Sequence, residues 1–272
     1  MEDRNQSASS FNPRSNLQSE TPMTRRRWIA DEFSENRAAL TGAHADHLAR
    51  VLRVRAGQEF DIGVGPEVRR GRVVSVGAER VEFELGAAVP AAAVSHVTLV
   101  LSIFKFDRME WAIEKCTELG AARIVPVIAR RTQAHLAAAA EKRAERWVRI
   151  AQQASEQSRR VAPPEISRPM TLKDAAGLPG KTRIVLAESE QELTLTRALA
   201  AHSASQPVVL AVGPEGGWEE TEIDFLLQAG WISASLGGTI LRAETAAIAA
   251  MAVVIAGLQQ PCRGQEREPR TT

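Results

Sequence analysis

The chain has 272 residues, of which 44% are hydrophobic and 25% charged, and its formal net charge is +1 at pH 7. This composition is typical of a soluble globular protein. The longest apolar run, residues 246–258, is shorter than the roughly 20 residues needed to span a bilayer. The polar start of the chain lacks the apolar core of a signal peptide, and the two cysteines, Cys116 and Cys262, have no metal-type spacing. We therefore expect a cytoplasmic protein without a metal site.

Polar, low-hydrophobicity segments at the two ends, residues 1–22 and 260–272, are predicted to be disordered tails. Between them, residues 23–90 have the short alternating strands and frequent turns of a small β-rich, barrel-like domain. The predicted strands of this domain are 59–64, 72–76 and 80–85, its helix is near 43–51, and a linker is predicted at 87–93.

Strands alternate with helices from residue 97 onward. Asp107 is predicted to cap a helix, because Glu110 stands at capping-box spacing, and Gly120 is predicted to end that helix. The alternation predicts an α/β fold for residues 94–259, with an open parallel sheet and helices on both faces. The predicted strands are 97–103, 124–128, 183–188, 208–212 and 232–236, and a long helix is predicted at 138–158.

Two glycine-rich loops follow predicted strands. The first is Gly213-Pro214-Glu215-Gly216-Gly217-Trp218, behind the apolar run 207–212, and the second is 236–246, with the sequence LGGTILRAETA. A strand that breaks through glycines into a helix brings bare backbone close to a ligand or another segment. By itself the first loop is as consistent with an ordinary strand-to-helix turn as with a binding loop. The repetition of the arrangement favours binding.

Together the two loops resemble those of the 16S ribosomal RNA (uracil-N(3)) methyltransferase family, which belongs to the SPOUT class. The resemblance runs from about residue 25 to residue 257 and keeps the order of the motifs. One position departs from it, because the family usually carries a basic residue where this chain has Thr239. The other matching segments are HLARVLR at 47–53 with Gly57, KFDRME at 105–110, KCTELG at 115–120, QSRR at 157–160 and PPEI at 163–166.

The resemblance implies an N-terminal PUA-like RNA-binding domain at 23–90 and a C-terminal SPOUT methyltransferase domain at 94–259. The parallel sheet of the second domain is then expected to carry a trefoil knot, a rare exception to unknotted chain connections. The implied reaction is the S-adenosylmethionine-dependent methylation of ring nitrogen 3 of a uridine, uridine 1498 in the standard RNA numbering. The implied partners are 16S ribosomal RNA within the small ribosomal subunit and a second copy of the chain, with no membrane.

The resemblance places the cofactor S-adenosylmethionine among three loops that follow strands. Backbone groups freed by glycine can read the edge of an adenine, and apolar side chains can enclose its faces. The cofactor-binding residues implied in this way are Leu186, Ala187, Glu188, Gly213, Pro214, Glu215, Gly216, Gly217, Leu236, Gly237, Ile240, Leu241, Arg242 and Thr245.

Methyl transfer to a uracil ring nitrogen requires that nitrogen to lose its proton, because a neutral imide nitrogen is a poor nucleophile. The site therefore needs a base, or cationic donors that stabilise the anion developing on the flanking carbonyls. Arg242 is the candidate donor. Glu244 is the second catalytic candidate, either to orient Arg242 or to accept the proton. The alternative for Glu244 is a helix-start carboxylate that the helix dipole favours.

Charge is divided unevenly along the chain. Residues 101–165 carry 12 Lys and Arg against 8 Asp and Glu, a balance of +4, whereas residues 166–258 carry 6 against 10, a balance of −4. The first region can thus face an anionic polymer. For each single basic residue the alternative is an ordinary solvated charge. Helical spacing is expected to place His47, Arg50 and Arg53 near one face. The predicted RNA-binding residues are Arg25, Arg26, Arg27, His47, Arg50, Arg53, Lys105, Arg108, Arg159 and Arg160.

Two other functions stay open at this point. One is a SPOUT enzyme with a different RNA target, such as a ribose hydroxyl. The other is a non-catalytic RNA-binding or ribosome-assembly factor that keeps the fold, to which Thr239 gives the one hint.

Overall fold

The N-terminal part of the chain forms a six-stranded sheet with one short helical segment. This is seen in a computed structural model, which describes residues 27–90, 95–200 and 206–259, so that both predicted tails lie outside the described residues. The elements are β1 (Arg27–Ile29), β2 (Glu32–Phe33), β3 (Arg37–Thr41), α1 (Gly42–Asp46), a π-helical turn (His47–Val51), β4 (Glu59–Val64), β5 (Glu67–Val76) and β6 (Arg80–Ala88). The strand order is β1-β4-β5-β6-β3-β2, and neighbours are antiparallel except β1 and β4.

Alternating side chains build the core of this N-terminal sheet. Leu40, Ile62 and Phe83 are fully buried, and Leu48 of the π-helical turn covers them from one side. Apolar residues at every second position of a strand point to one face, so short alternating strands suffice to enclose such a core. Gly71 faces the side chain of Ile62, and a Cβ added at this glycine would clash with Cγ1 of the isoleucine. A side chain at position 71 therefore does not fit.

The C-terminal part forms a seven-stranded sheet in which all the strand pairs are parallel. The strands are β7 (Val97–Ser102), β8 (Arg123–Ile128), β9 (Glu165–Ile166), β10 (Met170–Thr171), β11 (Thr182–Leu186), β12 (Val208–Val212) and β13 (Ile232–Ala234). Their order in the sheet is β10-β8-β7-β12-β11-β13, and β9 also pairs with β8. The predicted α/β class with an open parallel sheet is thus confirmed.

Helices cover both faces of this C-terminal sheet, as the sequence predicts. The helices are α2 (Phe106–Leu119), α3 (Ala134–Gln157), α4 (Leu172–Ala176), α5 (Leu195–Leu199), α6 (Glu220–Gln228) and α7 (Ala243–Gln259). Leu99 and Leu101 of β7 are buried against α2, α3 and α7, whereas Val100 between them is buried on the other face with α4 and α6. A strand buried on both faces has no polar alternation, which explains why β12 is apolar throughout.

Helix starts differ from their predictions in two places. The prediction that Asp107 caps α2 is wrong, because the helix begins at Phe106 and Lys105 occupies the cap position without a side-chain bond. A capping box occurs instead at α6, between Glu219 and Glu222. Helix α3 begins at Ala134, a turn before the predicted start. The end of α2 is as predicted, since Gly120 has a φ of 109° and adopts the left-handed conformation that glycine favours.

The two sheets meet along α3, at a set of contacts that we call the seam. His44 Nε2 lies 3.0 Å from Glu156 Oε1, and the guanidinium of Arg27 donates to the carbonyl of Arg159. Gly63 of β4 is also tightly placed, since a Cβ there would lie 2.5 Å from the carbonyl oxygen of Val161. The seam thus fixes the N-terminal sheet against the end of α3. Within the described ranges, no helix is long and apolar enough to cross a membrane.

Candidate active site

Three loops meet at one edge of the C-terminal sheet because three neighbouring parallel strands end there. Strand β11 lies between β12 and β13, so the segments after Leu186, Val212 and Ala234 come out side by side. The carboxyl ends of parallel strands are where open α/β sheets bind ligands. The structure therefore brings together all three of the loops to which the sequence assigns the cofactor.

The loop at residues 213–217 is held from two sides. The indole nitrogen of Trp218 donates to the carbonyl of Leu186 at 3.1 Å, which ties this loop to the end of β11. Arg131, which follows β8, donates to the carbonyl of Gly216 at 2.6 Å. Gly217 has a φ of 70° and closes a turn by donating to the carbonyl of Pro214 at 2.9 Å. The loop is thus fixed while Glu215 and Gly216 remain exposed.

The loop at residues 236–242 leaves an apolar side chain in solvent. Ile240 is 83% exposed, the most exposed of the large hydrophobic residues described, whereas Leu236 and Leu241 are half-buried. Gly237 has a φ of 116° and turns the chain away from β13. An exposed isoleucine beside freed backbone can offer apolar contact to a flat ligand.

The third loop, after β11, is the tightest of the three. Leu186 and Ala187 are buried and Glu188 is exposed, and the amide of Ala187 donates to the carbonyl of Ala234 at 3.0 Å. Main-chain pairing therefore joins this loop to the end of β13, and the bond from Trp218 joins it to the loop at 213–217.

The two catalytic candidates stand at the start of α7 but in different surroundings. Arg242 is exposed, and its carbonyl accepts the first helical bond, from Ala246 at 2.8 Å. Glu244 is only 4% exposed, and its Oε1 lies 3.7 Å from Nε of Arg108. Arg108 also places Nη1 3.0 Å from Glu215 Oε1. In the described ranges the cation facing Glu244 is thus Arg108, rather than the Arg242 that the sequence suggested.

The predicted RNA-binding residues are scattered over more than one environment. Arg25 and Arg26 lie outside the described residues. Arg27 and Arg159 meet at the seam. Burial lowers the pKa of the Arg27 guanidinium, the nearby charge of Asp61 raises this pKa, and the charge of Arg159 lowers it further. Lys105 is exposed beside α2.

The group at 47–53 does not share one helix face. His47 begins the π-helical turn and lies with its ring 5.8 Å from that of Trp28. Arg50 is exposed and pairs with Asp46 at 2.6 Å. Arg53 lies beyond the helix in a left-handed conformation, with a φ of 49°. The expected helical stacking of Arg53 under Arg50 is therefore wrong, because the helix ends before it.

Arg160 has a structural task. Its guanidinium donates to the carbonyls of Thr117 and Ala121 at 2.8 and 2.7 Å, and to that of Ala162 at 3.2 Å. Burial lowers its pKa. These hydrogen bonds hold the segment after α3 against the end of α2. Because they engage its guanidinium, Arg160 has few donors free to bind a phosphate.

The sequence does not predict the structural roles of Arg131, Trp218 and His44. The role of Trp218 could have been predicted, since this residue directly follows the glycine loop. The role of Arg131 could not, because its partner Gly216 is 85 residues away in the sequence. The structure places His44 between two carboxylates, Asp31 at 3.2 Å and Glu156 at 3.0 Å.

Comparison with known proteins identifies the family. A family model described as an RNA methyltransferase domain matches residues 91–255. The chain belongs to this RNA methyltransferase family. A ribosomal RNA small subunit methyltransferase E from Synechocystis sp. is 31% identical over 234 residues, which covers 84% of this chain and 76% of the relative. One from Aquifex aeolicus is 31% identical over 236 residues, covering 84% and 98%.

A solved structure supports the same family. The crystal structure of a ribosomal RNA small subunit methyltransferase E from Neisseria gonorrhoeae bound to S-adenosyl methionine is 30% identical and has a TM-score of 0.74. The match covers 86% of this chain and 98% of that one. The resemblance to the RNA methyltransferases and the SPOUT-type fold with an N-terminal barrel-like part are thereby confirmed. The trefoil knot, the domain bounds and the individual site residues stay predictions.

Proposed function

We propose that this RNA methyltransferase transfers the methyl group of S-adenosylmethionine to ring nitrogen 3 of a uridine in 16S ribosomal RNA, at position 1498, within the small ribosomal subunit. The observation that carries the proposal is the meeting of the three loops at one sheet edge, with an exposed arginine beside them. Relatives at about a third identity act on the small-subunit ribosomal RNA, as their names state.

The residues at the sheet edge fit S-adenosylmethionine. Bound there, the cofactor supplies an electrophilic methyl group on a positively charged sulfur. Exposed Ile240 and half-buried Leu236 and Leu241 offer apolar contact for an adenine. Glu215 and Glu244 give the edge negative charge, and one oxygen of Glu244 is buried without a hydrogen-bond partner among the described residues. A cationic ligand is favoured by such surroundings.

Arg242 is the residue that we assign to the chemistry. As N3 of the uracil loses its proton, negative charge develops on the two flanking carbonyl oxygens. A guanidinium presents several donors in one plane and stabilises that charge by direct hydrogen bonds. Arg242 is exposed at the end of the loop at 236–242 and is paired with no carboxylate in the ion pairs of the described residues, so its donors remain available to a substrate.

The RNA is proposed to dock on the N-terminal sheet and the adjoining end of α3. Arg50 and Arg53 are exposed on the first, and Arg159 is exposed on the second. Their side chains face solvent from a rigid scaffold, which suits contacts to phosphates. Lys105 is a further candidate, whereas Arg160 is held by the fold.

A homodimer is the assembly that we propose. Thr245, Ala252 and Ala256 form an exposed row of small residues along α7, while Ala247, Ala250 and Val254 of the same helix are buried in the core. Small side chains let a second helix approach closely. Light scattering of the purified protein is expected to give twice the monomer mass, and a monomer at working concentration would contradict this assembly.

The test of the reaction is methyl transfer in vitro. Purified protein is mixed with S-adenosylmethionine labelled on the methyl group and with small ribosomal subunits that lack the modification. We expect label on N3 of one uridine, located by mass spectrometry of RNA fragments. Label on a ribose hydroxyl would indicate a different reaction of the same class. Absence of label, despite measured binding of S-adenosylmethionine, would indicate a non-catalytic factor.

A further inference from the structure

Arg108 lies between two of the cofactor loops instead of facing solvent. It stands in the first turn of α2, and its side chain is 32% exposed. Its Nη1 is 3.0 Å from Oε1 of Glu215, and its Nε is 3.7 Å from Oε1 of Glu244. The first carboxylate belongs to the loop at 213–217, and the second belongs to the first turn of α7. One guanidinium therefore joins two segments that come from different strands of the sheet.

Glu244 depends on this contact more than Glu215 does. The side chain of Glu244 is 6% exposed, against 26% for that of Glu215, and its Oε2 is buried without a partner among the described residues. A buried carboxylate without a counter-charge is strongly destabilising. Among the described residues the cation paired with Glu244 is Arg108, so Arg108 supplies the counter-charge of a carboxylate at that depth.

The planar fork of arginine is suited to this task. Nε and Nη1 point along different directions of one rigid plane, so contacts to two carboxylates fix the distance between them. An ammonium group on a flexible stem fixes no such distance. Arg131 adds a second anchor to the same loop through the carbonyl of Gly216, but it makes no described contact with α7.

We propose that Arg108 is a positioning residue that sets the spacing between the loop at 213–217 and the start of α7, and so preorganises the cofactor site. This inference rests on the proposed function, because it assumes that S-adenosylmethionine binds between these segments. It differs from the RNA contact that the resemblance implies for Arg108. A residue with both guanidinium edges engaged by carboxylates has its charge neutralised before any phosphate arrives.

The test is calorimetric binding of S-adenosylmethionine without RNA. Arg108→Ala is expected to weaken binding about tenfold or more, because misplacing binding groups by about 1 Å has effects of that order or larger. Arg108→Lys is expected to recover part of the affinity. Glu215→Gln is expected to act in the same direction, and its combination with Arg108→Ala is expected to add little, since both remove one contact. RNA affinity and its salt dependence stay unchanged in Arg108→Ala.

Arg146→Ala is the matched control. Arg146 of α3 lies 2.8 Å from Glu110, which stands on α2, the helix that carries Arg108. Arg146 is outside the cofactor loops, so its replacement removes an arginine–glutamate pair without changing the site. Binding of S-adenosylmethionine by this variant is expected to equal that of the wild type.

A second variant tests whether Arg108 positions the two segments or only neutralises the charge of Glu244. Arg108→Ala combined with Glu244→Gln removes the cation together with the charge that it stabilises, so this protein is expected to fold even where Arg108→Ala alone does not. Its affinity is expected to lie below that of Glu244→Gln alone, because the link to Glu215 is gone. Equal affinity of these two variants, or wild-type affinity in a folded Arg108→Ala, would overturn the proposal. Weaker RNA binding with a salt slope reduced by about one would assign Arg108 to a phosphate. If the wild type itself fails to bind, the proposed function fails instead.

Discussion

At the scale of single residues, Arg242 and Glu244 have different surroundings although they are only two positions apart in the sequence. Arg242 is exposed, whereas Glu244 is only 4% exposed and its carboxylate faces Arg108. Positions two apart on a helix point in different directions, so the start of α7 directs one side chain outward and the other inward. The exposed one is available to a substrate, whereas the buried one is held by the fold.

Arg242→Ala is predicted to lower the turnover number on the order of 10²-fold, because a donor to the developing anion is lost. Lysine is expected to rescue only part of the rate, since an ammonium does not bridge two acceptors. Higher pH is expected to recover part of the loss, because it supplies uracil that has already lost its proton. Single-turnover kinetics on small ribosomal subunits measure this. A variant that turns over at the wild-type rate would make Arg242 merely structural.

Gly216→Val is predicted to abolish binding of S-adenosylmethionine and to leave the free energy of unfolding within about 0.5 kcal/mol of the wild type. A Cβ at position 216 meets Cδ of Arg131 at 3.4 Å, an ordinary contact, so the free protein accepts it while the ligand's approach is blocked. Gly217→Val is the comparison, because its φ of 70° makes a side chain cost roughly 1–2 kcal/mol. Calorimetry and thermal unfolding measure both. A folded Gly216→Val with unchanged affinity would remove this loop from the site.

At the scale of elements, sequence patterns predicted most of the regular structure of the C-terminal sheet and missed several element ends. Five of its seven strands and the closing glycine of α2 follow from runs and patterns within a few residues, whereas the two-residue strands β9 and β10 are not predicted. The start of α2 and the end of the helix before Arg53 do not, because an arginine with a φ of 49° carries no mark in the sequence. The contacts that assemble the site join residues about a hundred positions apart, such as Arg108 and Glu215. No local sequence pattern predicts such long-range contacts.

The segment at 47–53, which includes the π-helical turn and Arg53 beyond it, gives the prediction that belongs to this scale. Replacing Arg50 and Arg53 by alanine is expected to weaken RNA binding and to reduce its salt slope by up to about one unit per lost phosphate contact. Affinity for S-adenosylmethionine is expected to stay unchanged, because this segment lies on the other sheet. Filter binding over a range of salt concentrations measures the slope. Arg168→Ala is the control, because Arg168 is an exposed arginine outside the N-terminal sheet, with a 3.6 Å contact to Glu141. Unaltered affinity and slope in the double variant would exclude this docking surface.

At the scale of the whole molecule, the seam is where we expect the stability of the fold to depend on pH. The hydrogen bond with Glu156 raises the pKa of His44 from 6.5 to about 9, burial opposes it, and Asp31 adds to it. A folded-state value above the unfolded one means that protonation stabilises the fold. This contribution is fully present below about pH 6.5 and is lost as the pH rises through about 9.

His44→Gln is therefore predicted to lower the free energy of unfolding at about pH 6 and to have little effect near pH 10. Urea unfolding of wild type and variant across this range measures the difference, in which the titration of groups common to both proteins cancels. A difference that does not change with pH would show that the charge of His44 does not stabilise the fold.

The reaction is the central claim for the whole molecule, and mapping of modified nucleotides in ribosomal RNA from a deletion strain tests it most directly. We expect the deletion to remove one methyl group, on N3 of uridine 1498 of 16S ribosomal RNA, and the wild-type gene to restore it. The Arg242→Ala gene is expected to restore little of it. An unchanged set of methylated nucleotides in the deletion strain, or the loss of a methyl group from a ribose, would contradict the account.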